Sequence, residues 1–170
     1  MVTIRQAGME DADSIASVHV KSWKTTYAGI VPGSYLASLN AESRARNWRE
    51  QLGAGAATVL VAEDETGVFG FVCGGKLRDL VEGFDAELYA IYLLEEKQRR
   101  GAGKALTRQL ASILYDRGFF SLIVWVLETN PAVEFYRHLG AARVATKQIE
   151  IGGVQLTELA FGWRRLSVLL

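Results

Sequence analysis

The chain has few of the residues that build disulfides and metal sites. It contains one cysteine, Cys73, and two histidines, His19 and His138. A single cysteine excludes an intramolecular disulfide and a four-cysteine zinc site. Two histidines are too few for most histidine-rich metal centres. We therefore expect no metal cofactor.

The sequence also lacks an excess of charge of either sign, and it lacks long apolar runs. The 19 Lys and Arg residues balance the 19 Asp and Glu residues, whereas a protein that binds nucleic acid normally has a basic excess or stripe. No apolar run reaches the roughly 18 residues that a membrane-spanning helix needs. The N-terminus carries acidic residues instead of an apolar signal core. These features predict a cytoplasmic protein that has neither nucleic acid nor a membrane as a partner.

Length and composition indicate a single domain over residues 1–170. The apolar fraction of 49% and the charged fraction of 22% are ordinary for globular proteins. A chain of this length suits one sizeable core, and two full domains would be cramped. The sequence has no internal repeat and no linker.

Hydrophobic periodicity and turn residues predict alternating helices and strands. The run Leu88–Leu94 is apolar at almost every position, which is typical of a central strand buried on both faces. We expect a mixed α/β fold in the order βααβββαβαββ, with a central sheet of about six or seven strands and about four flanking helices. The second helical region, 34–52, has a candidate break near Asn40. The predicted strands are 2–4, 58–63, 68–75, 87–94, 122–127, 142–151 and 154–162.

A glycine-rich turn, Gln98–Lys104, lies between the central strand and the next helix. The N-terminus of a helix offers unpaired N–H groups to a phosphate, and glycine lets the main chain approach closely. Two other phosphate motifs fit poorly: a dinucleotide-binding fingerprint needs a small residue where Leu106 stands, and a Walker A loop needs serine or threonine where Ala105 stands. From the turn alone, an ordinary strand-to-helix loop remains the structural alternative.

Two segments together resemble the signature of the GNAT superfamily of N-acyltransferases. The first runs from Glu87 to Leu106 and contains the Gln/Arg-x-x-Gly-x-Gly/Ala turn as Gln98, Gly101 and Gly103. The second, 130–140, reads NPAVEFYRHLG and follows at a compatible spacing. A proline common near the end of the family's central strand is absent. The resemblance extends to the element order over nearly the whole chain, so it implies the GNAT-like fold.

The resemblance implies acetyl-CoA as co-substrate, bound where the central strand splays from the strand at 122–127. By analogy, the main chain near Tyr92 and Leu93 pairs with the pantetheine arm, and Asn130 contacts the same arm. The main-chain amides of the turn bind the diphosphate; the residues concerned are Gln98, Arg99, Arg100, Gly101, Ala102, Gly103 and Lys104.

The resemblance also implies direct attack of a primary amine on the thioester in a ternary complex. Tyr136 is the predicted proton donor to the departing thiolate, since a phenol is a suitable acid for it. Glu87 is the predicted base, with a solvated strand-end carboxylate as the alternative. Tyr89 is placed on the same strand face as Glu87 and Ile91 by the period of two, and is expected to line the acceptor site.

The acceptor is expected to be a small-molecule or peptide amine, next to Trp23 and Tyr27 at the end of the first helix. Packing of these two aromatic residues into the core is the structural alternative. A non-catalytic acetyl-CoA-binding module is the alternative function. The apolar residues within the C-terminal segment 164–170 leave two alternatives open, contact with a partner subunit in a homodimer or fraying.

Overall fold

The computed structural model describes residues 1–170 and arranges all seven strands in one sheet of order β1-β2-β3-β4-β5-β7-β6. The strands are β1 (Thr3–Gln6), β2 (Thr58–Asp64), β3 (Gly67–Lys76), β4 (Ala86–Leu93), β5 (Leu122–Leu127), β6 (Ala142–Ile151) and β7 (Val154–Trp163). The helices are α1 (Ala12–Thr26), α2 (Gly33–Ser38), α3 (Ala41–Ala54), α4 (Ala102–Asp116) and α5 (Ala132–His138). Short 3-10 turns occupy 9–11, 95–97 and 166–169.

The predicted fold class is confirmed, with five helices in place of four. The extra helix arises because the region 34–52 breaks at Leu39, which is extended (ψ 126°). Asn40 then begins α3, since its Oδ1 atom accepts a hydrogen bond from the N–H of Ser43 at 3.0 Å. Gly55 ends α3 in the left-handed conformation, with φ 65°.

The two faces of the sheet bury separate groups of apolar side chains. On one face, α4 packs Leu106, Leu110 and Leu114 against the strands. On the other, α1 and α3 contribute Ile15 and Trp48 among others. A smaller apolar cluster joins the end of α1 to α2 and to the far ends of β5, β6 and β7. The sheet therefore separates an α4 face from an α1 face.

The C-terminal segment packs on its own chain. Leu166 and Leu169 are buried with the α4-face residues, and the guanidinium Nε of Arg108 donates to the carbonyl of Leu169 at 3.1 Å. Val168 and Leu170 remain exposed. Fraying of the whole segment is therefore the wrong alternative, and the homodimer stays a prediction.

The strands β4 and β5 run parallel but pair over only three positions. Their register extends from Ala86 opposite Leu122 to Leu88 opposite Val124. Beyond those residues both strands continue without pairing to each other. We call the resulting gap the β4–β5 cleft.

A β-bulge lies where the cleft opens. Cys73 of β3 faces Ala90 while Gly74 faces Leu88, so Tyr89 is the extra residue of β4. The bulge shifts the alternation, and Ile91 consequently packs on the α4 face whereas Tyr89 packs on the α1 face. The expectation that Ile91 shares a face with Glu87 and Tyr89 is therefore wrong, because it assumed an unbroken period of two.

None of the helices combines the length and the apolar character that crossing a membrane requires.

Candidate active site

A cavity of about 920 Å³ occupies the β4–β5 cleft and extends to the end of α1. Its walls come from α1, β4, the glycine-rich turn, β5, α5, β6 and β7. Most of the residues predicted from the sequence line it: Trp23, Tyr27, Tyr89, Tyr92, Leu93, Gln98, Arg99, Gly101, Gly103, Lys104, Asn130 and Tyr136. Glu87, Arg100 and Ala102 do not line it.

The glycine-rich turn has an unusual main-chain conformation. Arg99 has φ 59° and is the only residue other than glycine with a positive φ. Gly101, with φ 87°, precedes the first residue of α4. A non-glycine residue in the left-handed region costs about 1–2 kcal/mol. Left-handed residues of this kind turn successive N–H groups toward one concave surface, which suits an anion.

The N–H groups of the turn are free from Arg99 to Lys104, because none of them donates to a main-chain carbonyl. The first helical bond of α4 runs from the N–H of Ala105 to the carbonyl of Gly101 at 3.0 Å. These free N–H groups lie at the positive end of the α4 dipole. Ala102 and Arg100 therefore have available main-chain donors although they do not line the cavity.

Gln98 differs from the other residues of the turn. Its main-chain N–H already donates to the carbonyl of Glu95 at 3.2 Å. Its side-chain Nε2 donates to the carbonyl of Leu93 at 3.1 Å. The prediction that the Gln98 amide belongs to the diphosphate cradle is therefore not supported by the geometry; Gln98 instead ties the turn to the end of β4.

The main chain of β4 exposes alternate residues to the cleft. The N–H of Leu94 donates to the carbonyl of Phe69 at 2.9 Å, and Tyr92 lies opposite Phe71 in the β3 register. By alternation, the main chain of Tyr92 faces β3, whereas the main chains of Ile91 and Leu93 face the cleft. Of the two predicted residues, Leu93 can thus offer main-chain groups, and Tyr92 contributes its side chain.

Three polar side chains are joined at the floor of the cavity. The Tyr27 and Tyr92 hydroxyls are 3.3 Å apart, and the Nδ2 atom of Asn130 donates to the Tyr27 hydroxyl at 3.2 Å. The Oδ1 atom of Asn130 accepts from the N–H of Ala132 at 2.8 Å and so supports the start of α5. Burial raises the pKa of both phenols. Both therefore stay neutral at neutral pH.

Tyr136 lies on α5 with its ring enclosed. It is 4% exposed, and its ring packs against Phe135 and Trp163 with centroids 5.3 and 6.3 Å away. Burial raises the pKa of the phenol well above its usual value. The hydroxyl has no hydrogen-bond partner in the protein, and the residue borders the cavity. A neutral, unpartnered donor is thereby presented to the cleft.

Glu87 is buried and fully engaged with Arg78. Its Oε2 atom accepts from Nε and Nη2 of Arg78 at 3.1 and 2.5 Å, and its Oε1 atom accepts from the Arg78 N–H at 3.2 Å. The solvated strand-end alternative is wrong, since the residue is only 2% exposed. Arg78, which does line the cavity, also stacks 4.5 Å from the centre of the Tyr89 ring. The geometry separates Glu87 from the cavity, so its role as a base stays a prediction.

Two aromatic side chains at the end of α1 form the wall of the cavity where the acceptor is expected from the sequence. The Trp23 and Tyr27 ring centroids are 4.4 Å apart, and both residues border the cavity. Tyr27 is also buried in the cluster beside Leu127. The two rings therefore pack in the apolar cluster and line the cavity at the same time.

The residues of the cavity lining that were not predicted from the sequence include Trp125 of β5 and Glu158 of β7. The Trp125 indole N–H is buried without a hydrogen-bond partner. Glu158 is half-buried and forms no hydrogen bond or ion pair, and burial raises its pKa. The available signal was the alternation in β7, where Glu158 stands between Leu156 and Ala160 as the single acid on an otherwise apolar strand face.

The sequence matches the model of the acetyltransferase (GNAT) family over residues 22–141. The chain is also 50% identical to YuaI of Bacillus subtilis (strain 168), an uncharacterized N-acetyltransferase, over 99% of this chain and 96% of that protein.

Solved structures share the fold at lower sequence identity. A ribosomal-protein-alanine N-acetyltransferase from Brucella melitensis superposes with a TM-score of 0.74 at 24% identity, covering 95% of this chain and 98% of the other. YncA of Salmonella typhimurium, solved with its cofactor acetyl-CoA, superposes with a TM-score of 0.73 at 19% identity, covering 98% of this chain and 94% of the other.

Proposed function

The chain belongs to the acetyltransferase (GNAT) family, and on that basis we propose that it transfers an acetyl group from acetyl-CoA to a primary amine of a small molecule or peptide. The observation that carries the proposal is the β4–β5 cleft, which has a row of free N–H groups at one end and the unpartnered Tyr136 hydroxyl in its wall.

The turn suits the diphosphate of acetyl-CoA. The N–H groups from Arg99 to Lys104 donate to no main-chain carbonyl and are free to bind the phosphate oxygens. The dipole of α4 favours an anion at the same place. The Arg99, Arg100 and Lys104 side chains add positive charge to the same segment. Gly103 lies beside the apolar wall of the cavity, since a Cβ atom added there would lie 3.4 Å from Leu93 and from the Phe135 ring.

The pantetheine arm fits the unpaired edge of β4. Because Leu93 directs its main chain into the cleft, its N–H is available to an amide of the arm. The Leu93 carbonyl already accepts from Ser22 and Gln98. Asn130 borders the same space, with one of its two side-chain N–H groups given to Tyr27. The arm would thus form hydrogen bonds with the part of β4 that does not pair with β5.

The transfer is a direct attack in a ternary complex. The amine lone pair forms the C–N bond, the C–S bond breaks, and its electron pair remains on sulfur as a thiolate. Tyr136 donates its proton to that thiolate, and the phenolate then takes the proton left on the amide nitrogen. The apolar cleft disfavours both the thiolate and the phenolate, and the second transfer neutralises the phenolate together with the protonated nitrogen, so no charge remains in the site.

The acceptor side favours an amine with an apolar or aromatic body. Trp23, Tyr27 and Tyr89 line that end of the cavity, and aromatic rings contribute large contact areas to ligands. Glu87, held by Arg78, supports the wall by fixing the guanidinium against Tyr89.

Release of free thiol from acetyl-CoA tests the function. A panel of primary amines, from amino acids to aromatic amines and short peptides, is offered to the protein, and mass spectrometry identifies acetylated product. We expect amine-dependent thiol release with at least one member. Tight binding of acetyl-CoA by calorimetry, with hydrolysis alone for every amine, would contradict transfer and favour a binding module.

A further inference from the structure

We propose that Glu158 binds the ammonium group of the acceptor and takes the proton that must leave before attack. The inference rests on the proposed function, because it assigns the base for the same reaction. It replaces the sequence-based assignment of that role to Glu87.

Glu158 is the carboxylate on the acceptor side of the cavity. Two acidic residues, Glu95 and Glu158, line the cavity. Glu95 begins the short 3-10 turn next to the glycine-rich turn, where the diphosphate is expected. Glu158 lies on β7 opposite Leu127, and Leu127 packs against Tyr27. Its position therefore places a carboxylate beside the aromatic wall where the amine enters.

The Glu158 carboxylate forms no ion pair within 4 Å. Lys147, directly opposite on β6, is held elsewhere: its ammonium lies 4.1 Å from the Trp125 ring centre and 3.8 Å from Asp79. Arg78 is bound to Glu87. A half-buried carboxylate without a partner costs free energy, and a cationic ligand removes that cost.

The groups that face Glu158 have opposing effects on its affinity for a proton. Lys147 of β6 and Arg78 of the loop after β3 lower its pKa, whereas Glu87 of β4 raises it. Burial has the largest effect, and it raises the pKa of Glu158. Tyr27 of α1 is neutral at neutral pH and carries no opposing charge. The carboxylate is thus more basic than an exposed glutamate, which suits a proton acceptor.

The proton balance is complete with two residues. R–NH₃⁺ gives one proton to the Glu158 carboxylate, which forms the carboxylic acid and free R–NH₂. The amine then attacks as described above, with Tyr136 exchanging the second proton between sulfur and nitrogen. Glu158 returns its proton to solvent after product leaves, so each turnover releases one amide, one thiol and one proton.

Glu158→Gln tests the assignment, since it keeps the shape of the side chain and removes its charge. With an amine found in the thiol assay, we expect kcat/KM to fall by about 100-fold or more, while the Kd for acetyl-CoA stays unchanged. The limb of the kcat/KM profile set by Glu158 should be lost in Glu158→Gln, whose kcat/KM should instead rise with pH in proportion to the free amine, and it should persist in Glu158→Asp with reduced rate. Glu150→Gln, an exposed change on β6, is the matched control.

A binding measurement separates this inference from the function itself. Calorimetry with 2-phenylethylamine and the CoA-saturated protein reads the ammonium site without turnover. We expect wild type to bind and Glu158→Gln to bind about tenfold or more weakly. Equal affinity in both proteins, no binding to wild type, or a Glu158→Gln enzyme with wild-type kcat/KM and pH profile would each overturn the inference. Failure of thiol release in wild type, with the binding difference intact, would instead contradict the proposed function.

Discussion

The side-chain amide of Asn130 donates to the Tyr27 hydroxyl at 3.2 Å, joining residues 103 positions apart in the sequence. The bond connects the start of α5, which carries Tyr136, to the end of α1, whose Trp23 and Tyr27 line the cavity on the proposed acceptor side. The same Asn130 side chain accepts from the N–H of Ala132.

Asn130→Ala removes both bonds and leaves buried partners unsatisfied. We expect a loss of about 1–3 kcal/mol in the free energy of unfolding, measured by urea denaturation. Asn47→Ala, on the exposed side of α3, is the control and should change stability little. Equal stability of the Asn130→Ala protein and wild type would contradict the role assigned to this bond.

Tyr136→Phe tests the proton donor with little structural cost, because the hydroxyl has no protein partner. We expect kcat to fall by about 100-fold or more, with unchanged unfolding free energy and unchanged Kd for acetyl-CoA. Saturating-substrate kinetics and calorimetry give the three quantities. A Tyr136→Phe enzyme as fast as wild type removes Tyr136 from the mechanism.

Arg99→Asn separates the charge of the turn from its conformation. Asparagine tolerates the left-handed region that Arg99 occupies, so the fold should be retained. Loss of one charge near the diphosphate should raise the Kd for CoA about fivefold, which corresponds to roughly 1 kcal/mol. Calorimetry at two salt concentrations should also give a shallower salt dependence.

The control for that experiment is Arg46→Asn, an exposed residue of α3. It removes the same charge far from the turn and should leave CoA affinity unchanged. If both variants bind CoA as wild type does, the diphosphate is not held by this segment's charge.

Gly74→Ala tests the close approach of β3 to β4 at the bulge. An added Cβ would lie 2.7 Å from the main-chain oxygen of Glu87 and 3.0 Å from Leu110. Because the main chain of β4 is fixed by its pairing with β3, it cannot shift without loss of hydrogen bonds. We therefore expect the free energy of unfolding to fall by about 1–3 kcal/mol. Gly33→Ala, where nothing lies within 4 Å, is the control. Equal unfolding midpoints for the two variants would contradict the packing described for the bulge.

His19 gives the protein a pH-dependent stability. It packs among Trp23, Trp48, Phe71 and Tyr92, and burial lowers its pKa from 6.5 to about 4. Between these values the unfolded chain binds a proton that the folded protein does not. Stability should therefore fall on acidification through this range, by about 1.4 kcal/mol per pH unit.

Urea denaturation of wild type and His19→Phe at several pH values isolates this contribution. The buried carboxylates, such as Asp11, whose pKa is lowered by Arg5, act in both proteins and mainly at lower pH. The difference between the two proteins should grow as the pH falls from 6.5 toward 4. A constant difference would mean that His19 has the same pKa in the folded and unfolded states, which would contradict the effect of its burial.

Local sequence features were sufficient for most of the fold. The unbroken apolar run of β5 predicts its bounds as observed, Leu122–Leu127. The Gly152-Gly153 turn between β6 and β7 adopts positive φ at both residues, which is the conformation that a tight hairpin favours. Such elements depend on short-range periodicity and turn chemistry, which a single sequence carries.

The site was harder to predict from the sequence than the fold, because it depends on contacts between strands that are distant in the chain. The bulge at Tyr89 is set by how β3 pairs with β4, and it reverses the face of Ile91. Glu87 meets Arg78 only because the loop after β3 folds back over β4. Glu158 reaches the cavity beside Leu127 because β7 returns antiparallel to β5. Hydrophobic period and motif spacing alone do not predict any of these three contacts.

A crystal structure of the protein with coenzyme A would show whether the glycine-rich turn holds the diphosphate. We predict density for the diphosphate within hydrogen-bond distance of the N–H groups between Arg99 and Lys104, with the pantetheine arm leading along Leu93 into the β4–β5 cleft toward Tyr136. A diphosphate bound at any other surface, or a cleft that stays empty at saturating coenzyme A, would contradict this cofactor site.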